Sequence, residues 1–119
     1  MFSPAGAGVR RVQPAEVAQL VRDKKAVLVD VREPAEWADG VAEPAELLPM
    51  SDLTGTRTQW KPFLAQVGER EIILYCRSGS RSGHVARILA AEGFKTANAG
   101  SVYAWHNAGL PMGRPKSRH

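Results

Sequence analysis

Only one of the 119 residues is a cysteine, and that scarcity closes several routes at once. A single thiol forms no intrachain disulfide and no cysteine-cluster metal site. It suits a reducing compartment, where a free thiol persists, so a cytoplasmic location is the expectation. Once oxidised, such a thiol has no partner within the chain to resolve it and depends on an outside thiol. Histidine is nearly as scarce. His84, His106 and His119 stand at no metal-ligand spacing, so neither a metal nor a cofactor is expected. Long apolar runs are missing too. Nothing approaches the roughly 20 apolar residues of a membrane span, and the stretch from Met1 to Arg11 lacks the apolar centre of a signal peptide, so no membrane association is expected. Aromatic residues make up 7% of the chain and do not alternate with basic ones. The net charge of +4 therefore does not read as a base-stacking surface, and no nucleic-acid partner is expected. The charge favours small anions or an acidic protein partner instead.

What is present describes one globular domain, with 44% hydrophobic and 24% charged residues. We place it at 9–112, between a flexible N-terminal segment, 1–8, and a flexible basic tail, 113–119. Val9 to Val12 reads as a short first strand. Pro14 suits the first turn of a helix whose apolar stripe is Val17, Leu20 and Val21, with Lys24 and Lys25 near its end. The nearly continuous apolar run from Ala26 to Val31 is that of a parallel strand covered on both faces. A short helix through Glu36, Trp37 and Ala38 stops near Gly40, and Ala45 to Met50 reads as a short strand or extended connection. Trp60, Phe63, Leu64 and Val67 follow the i, i+3, i+4, i+7 pattern of a core-facing helix. Pro62 must lie in its first turn, which sets the start near Trp60 or Lys61, and Gly68 ends it. A strand to Cys76 follows, then a helix to about Glu92 closed by Gly93, a short strand Lys95 to Asn98, and a last helix Val102 to Asn107 before Gly109 and Pro111. Strands alternating with helices predict an α/β fold, a small central mainly parallel sheet flanked by helices on both faces. Sites in such sheets form beyond the carboxyl ends of the strands, where both Asp30 and Cys76 fall.

Lone cysteines are usually inert, buried small hydrophobes. The residues after Cys76 argue otherwise. Arg77, Ser78, Gly79, Ser80, Arg81 and Ser82 are small, flexible or cationic, which suits a backbone curled around an anion. Val85, Ile88 and Leu89 then fall at helical spacing, so the thiol faces loop amides and the positive end of a helix dipole, conditions that favour thiolate. Ser82 is placed to cap that helix. Asp30 is expected to hydrogen-bond the loop from the neighbouring strand end rather than act as a base, because a carboxylate beside the thiolate would raise its pKa. Arg32 is expected to pair with Glu36 or Glu33, Trp37 and Trp105 to pack, and His84 to be solvated.

Four stretches, in order and at this spacing, resemble the single-domain rhodaneses: Val27 to Trp37 (VLVDVREPAEW), Ile73 to Ser82 (ILYCRSGSRS), Leu89 to Phe94 (LAAEGF) and Ala104 to Pro111 (AWHNAGLP). The resemblance implies a rhodanese-type thiosulfate sulfurtransferase with Cys76 as the nucleophile that carries a persulfide. Arg77 to Ser82 would then be the substrate-binding loop, with Asp30 and Arg32 in support. The implied partners are a small anionic donor such as thiosulfate and a thiol or cyanide acceptor, with an acidic protein as a further donor or acceptor. Two departures stand out: Gly40-Val41-Ala42 where the family commonly has Gly-His-Ile, and Gly100-Ser101 where it usually has Gly-Gly. Alternatives are a carrier in a sulfur relay for tRNA thiolation or cofactor biosynthesis, and a non-catalytic binding module, which typically lacks the cysteine. A cysteine phosphatase needs Cys-x5-Arg; counted from Cys76 that position is Ser82, and the arginine comes one residue early, at Arg81.

Overall fold

Five consecutive buried residues form strand β2, Ala26–Asp30, the centre around which the chain is organised. Its side chains alternate between two cores as the pleat requires. Val27 and Val29 face one layer, with Leu53, Trp60, Ile72, Leu74, Val85 and Leu89. Ala26 and Leu28 face the other, with Val17, Ile73, Tyr75, Ala97 and Trp105. The computed structural model describes residues 9–115; the expected flexible segment 1–8 and the last four residues, 116–119, of the expected tail 113–119 lie outside them.

In chain order the elements are β1 (Arg10–Arg11), α1 (Pro14–Arg22), β2, α2 (Pro34–Trp37), β3 (Val41–Ala42), β4 (Glu46–Leu47), α3 (Met50–Leu53) and α4 (Trp60–Gln66). There follow β5 (Glu71–Cys76), α5 (Ser80–Ala91), β6 (Thr96–Ser101), α6 (Val102–Asn107) and β7 (Met112–Gly113). The main sheet has five strands in the order β1-β6-β5-β2-β4. Every pairing in it is parallel. Helices α3, α4 and α5 contribute to the first layer and α1 and α6 to the second, so the α/β architecture with helices on both faces is as the sequence implied.

Three elements were not anticipated. Strands β3 and β7 pair antiparallel, joining Val41 to Gly113 and Ala42 to Met112, so Gly113 belongs to the domain and not to the tail. Helix α3 is a single turn. Its Asp52 carboxylate accepts the backbone N–H groups of Gln59 and Trp60, both at 2.9 Å, and so fixes where α4 begins. The fully buried Trp60 donates its indole N–H to the Pro49 carbonyl at 2.9 Å, locking α3 to α4.

Strand β6 also runs further than the expected Lys95 to Asn98. Leu74 pairs with Asn98 but Tyr75 pairs with Gly100, leaving Ala99 as the extra residue of a bulge. Gly100 takes φ +83°, a left-handed conformation that glycine adopts without strain. A bulge re-aims the side chains beside it. Here it sits next to the strand that ends in Cys76.

Candidate active site

Cys76 closes β5 at the carboxyl edge of the sheet, and the next three residues turn the chain into α5. The turn depends on Gly79, whose φ of +98° is left-handed and whose missing side chain leaves room for Gly100. A Cβ there would lie 3.2 Å from the Gly100 Cα. This conformation points the Gly79 N–H at the sulfur, 3.0 Å away. Ser82 adds its N–H at 3.4 Å and its hydroxyl at 3.5 Å. Cys76 is fully buried. Burial alone pushes the thiol pKa up, but the Ser82 hydroxyl and the amides of Ser82, Gly79 and Ser78 outweigh it, and the net shift is downward. The surroundings thus favour the thiolate form of a sulfur at the head of a 12-residue helix.

Ser82 does not cap the helix as expected. Gly79 occupies the N-cap, and Ser82 lies within the first turn, fully buried. Its hydroxyl has one proton, for which Asn98 Oδ1 at 2.7 Å, the Gly79 carbonyl at 3.2 Å and the Cys76 sulfur at 3.5 Å compete. Asn98 was missed by sequence reasoning. From β6 its amide nitrogen donates to the Gly79 carbonyl at 3.0 Å while its oxygen also accepts the Gly100 N–H at 2.9 Å. One buried side chain therefore ties loop, helix and bulge together. The available signal was an amide side chain in a strand otherwise made of Thr, Ala, Gly and Ser.

Neither Asp30 nor Arg32 reaches the loop. Asp30 accepts the Arg32 backbone N–H at 2.8 Å, and its carboxylate takes the guanidinium at 2.8 to 3.2 Å. Arg32 thus pairs with Asp30 and not with the Glu33 or Glu36 carboxylate. It donates further to the carbonyls of Gly40 at 2.8 Å and Glu36 at 3.4 Å. The i, i+2 spacing lets Asp30 bind both the amide and the side chain of Arg32 within one turn, a geometry no residue on the adjacent strand end can match.

The carboxylate of Glu36 goes instead to Arg81, another contact the sequence did not reveal. Arg81 donates through Nη1 at 2.7 Å and Nη2 at 2.8 Å, a bidentate fork. Arg77, Ser78 and Ser80 are exposed around the sulfur, and so is His84. Trp105 is buried and donates to the Pro111 carbonyl at 2.8 Å; Trp37 is half-buried. Among the described residues no group of three or more His, Cys, Asp or Glu side chains is placed to hold a metal ion.

A family model described as a rhodanese-like domain matches residues 13–108. The chain belongs to that family. A protein of Allochromatium vinosum named a sulfurtransferase is 34% identical over 111 residues, covering 91% of this chain and 98% of its own length. A Bacillus subtilis protein named a putative sulfurtransferase is 30% identical, with 87% and 96% of the two chains covered. An uncharacterized Synechocystis protein is 32% identical over 89% of this chain, which spans only 57% of that relative's length. Among solved structures, a rhodanese-related protein of Thermoplasma volcanium superposes with a TM-score of 0.72 at 24% identity, over 87% of this chain and 97% of its own.

The two departures from the rhodanese-like pattern have structural explanations. Val41, at the position of the family's usual histidine, is buried in β3. Its neighbour Ala42 donates its backbone N–H to the Tyr75 hydroxyl at 2.9 Å, which anchors this strand to the main sheet. Ser101, in place of a second glycine, caps α6 by accepting the Tyr103 N–H at 2.9 Å. Ser101 is also the β6 partner of Cys76 in the parallel pairing, so this position borders the loop directly.

Proposed function

We propose that the protein transfers sulfane sulfur through a persulfide on Cys76, taking it from a small anionic donor such as thiosulfate and delivering it to a thiol or to cyanide. The observation that carries this reading is the Cys76 sulfur, which accepts the Gly79 N–H at 3.0 Å inside a loop of further amides that favour its thiolate form. The thiolate attacks the outer sulfur of the donor. A Cys76 Sγ–S bond forms, the donor's S–S bond breaks, and its electron pair leaves on sulfite. The resulting persulfide is anionic at its outer sulfur, and the ring of N–H groups is suited to that charge as an oxyanion hole is to an alkoxide. Attack by the acceptor on the outer sulfur then returns the thiolate. Two half-reactions at one atom give ping-pong kinetics. The names of the sulfurtransferase relatives support the same chemistry.

Phosphate transfer fits the loop poorly. The residue that would be the arginine of a Cys-x5-Arg loop is the buried Ser82, and Arg81 is turned aside to Glu36. Intact-mass measurement after incubation with thiosulfate tests the proposal. The expected result is a gain of one sulfur atom that is lost on adding cyanide and absent in Cys76→Ser. A wild-type protein that gains no mass under these conditions would remove the persulfide reading.

A further inference from the structure

Glu36 brings a carboxylate to the rim of a loop whose proposed task is to receive anions. Both terminal nitrogens of Arg81 are taken up by it, at 2.7 and 2.8 Å. Each side chain is 30% exposed, so the pair lies at the edge of the site and not in the core. Glu36 is also held from its own side. Its Oε1 accepts the Glu33 N–H at 3.0 Å in a capping box that starts α2, and Arg32 grips the carbonyls of Glu36 and Gly40. The carboxylate is therefore not free to swing away when an anion arrives. Hydrogen bonds from Arg81 keep its pKa at about 2, despite partial burial, so it stays charged wherever Cys76 is a thiolate. Glu33 contributes a second negative charge to the surroundings of Arg81 while its carboxylate is bound to Ser51. Arg81 thus faces two carboxylates and the Cys76 sulfur. A loop adapted to a dianion would leave the Arg81 fork open; here it is filled.

We propose that Glu36 is a specificity-determining residue that masks Arg81 and turns the Cys76 loop from dianionic donors toward singly charged sulfane sulfur, of the persulfide or thiosulfonate class. The inference rests on the sulfur-transfer reading and adds the donor's charge to it. The chemistry is the same for both donor types. A thiosulfonate gives its terminal sulfur to Sγ, its S–S bond breaks, and the electron pair leaves on a sulfinate where thiosulfate would release sulfite. Coulomb energy is linear in donor charge, so the factor gained by a dianion on removing the Glu36 charge is the square of that gained by a monoanion. For a unit charge about 8.5 Å away in water the monoanion factor is about 2.3 and the dianion factor, its square, about five.

The test compares Glu36→Gln with Glu36→Asp. Glutamine serves in a capping box as glutamate does, so the start of α2 is preserved. Single-turnover loading of Cys76 is followed against concentration for thiosulfate and for methanethiosulfonate, which separates donor binding from the chemical step. Glu36→Gln should tighten thiosulfate about fivefold and methanethiosulfonate about twofold, with the maximal loading rate unchanged. Glu36→Asp, which keeps the charge, should retain the wild-type ratio. In parallel, sulfate and methanesulfonate are titrated against the Gly79 amide by NMR, where the same change of ratio is expected without any reaction. An unchanged ratio in Glu36→Gln, or an equal rise in both variants, overturns the proposal. If the wild type takes sulfur from neither donor, the transfer reading fails, and the titration still decides the role of Glu36.

Discussion

Replacing Asp30 with alanine separates support of the fold from support of the loop. In the native protein the Asp30 side chain is 0% exposed and the Arg32 side chain 6%. Three guanidinium contacts of 2.8 to 3.2 Å and the Arg32 amide at 2.8 Å all end on that one carboxylate. Asp30→Ala leaves a buried cation with the carbonyls of Gly40 and Glu36 and the face of the Tyr75 ring, 5.9 Å away, to offset its charge. Losing one member of a buried pair costs about 3–5 kcal/mol. Domains of this size have about 5–15 kcal/mol in total, so the variant should be folded but fragile. With a urea dependence of about 2 kcal/mol per molar, the unfolding midpoint should fall by about 2 M. Equilibrium urea unfolding measures this directly. The double variant Asp30→Ala, Arg32→Met should regain most of the loss, because no charge is then left unpaired. Sulfur loading of Cys76 by the folded fraction of Asp30→Ala should stay close to wild type. A stability loss below about 1 kcal/mol would mean that water reaches Arg32 and solvates it. Loading abolished in a variant that is still folded would restore the loop-supporting role the sequence suggested for Asp30.

Ser82→Ala removes the hydroxyl that helps to hold the thiolate, so the thiol pKa should rise; the pH midpoint of iodoacetamide alkylation should move up, and an unmoved midpoint would discard Ser82 as a contributor. The same substitution should cost about 1 kcal/mol, since Asn98 keeps the Gly100 amide as a donor. The lowered thiol pKa also links Cys76 to stability. A depressed native pKa gives stability that is complete above the unfolded-state value, about 8.5, and is lost as pH falls through the lower native value. The difference in unfolding free energy between wild type and Cys76→Ala should therefore grow with pH over that window, and a flat difference would contradict it. Gly79→Ala forces a left-handed alanine at a cost of about 1–2 kcal/mol before its contact with Gly100 is counted. It should also abolish loading, because the amide that meets the sulfur is displaced; a variant that loads normally would show that the turn is not needed.

What the sequence revealed and what it hid divide along a physical line. β2, β5 and α4 were legible because each carries a run or a repeat: five buried residues, six residues ending at Cys76, and the Trp60 stripe. β3, β7 and α3 were not, because two residues or a single turn hold no period, and β3 and β7 are defined by each other across the chain. The Cys76 loop was visible as a local string of residue types. Its supports were not: Asn98 and Glu36 reach it only after the sheet is assembled, Glu36 meeting Arg81 across 45 positions. Ser82 was misplaced as a cap because the left-handed turn at Gly79 starts α5 earlier than a serine-based rule suggests.

Two Arg-carboxylate pairs stand at the same edge of the sheet and do opposite things. Asp30 and Arg32 lie in one turn and are buried, so their charges cancel out of reach of any ligand and their effect is to fasten α2 through the Gly40 and Glu36 carbonyls. Glu36 and Arg81 are 30% exposed and include a residue of the loop that follows Cys76, so their mutual neutralisation is felt by whatever approaches Cys76. The first pair positions the second, since Arg32 holds the backbone of the very residue whose carboxylate engages Arg81. Rearranging the exposed pair therefore requires working against the buried one, so the charge presented to a donor is set by the scaffold and not by the loop alone. On this reasoning an Arg32 variant that still folds should loosen Glu36 and shift donor preference in the same direction as Glu36→Gln, to a smaller extent. A variant that loses stability with no change in the thiosulfate to methanethiosulfonate ratio would show that the two pairs act independently.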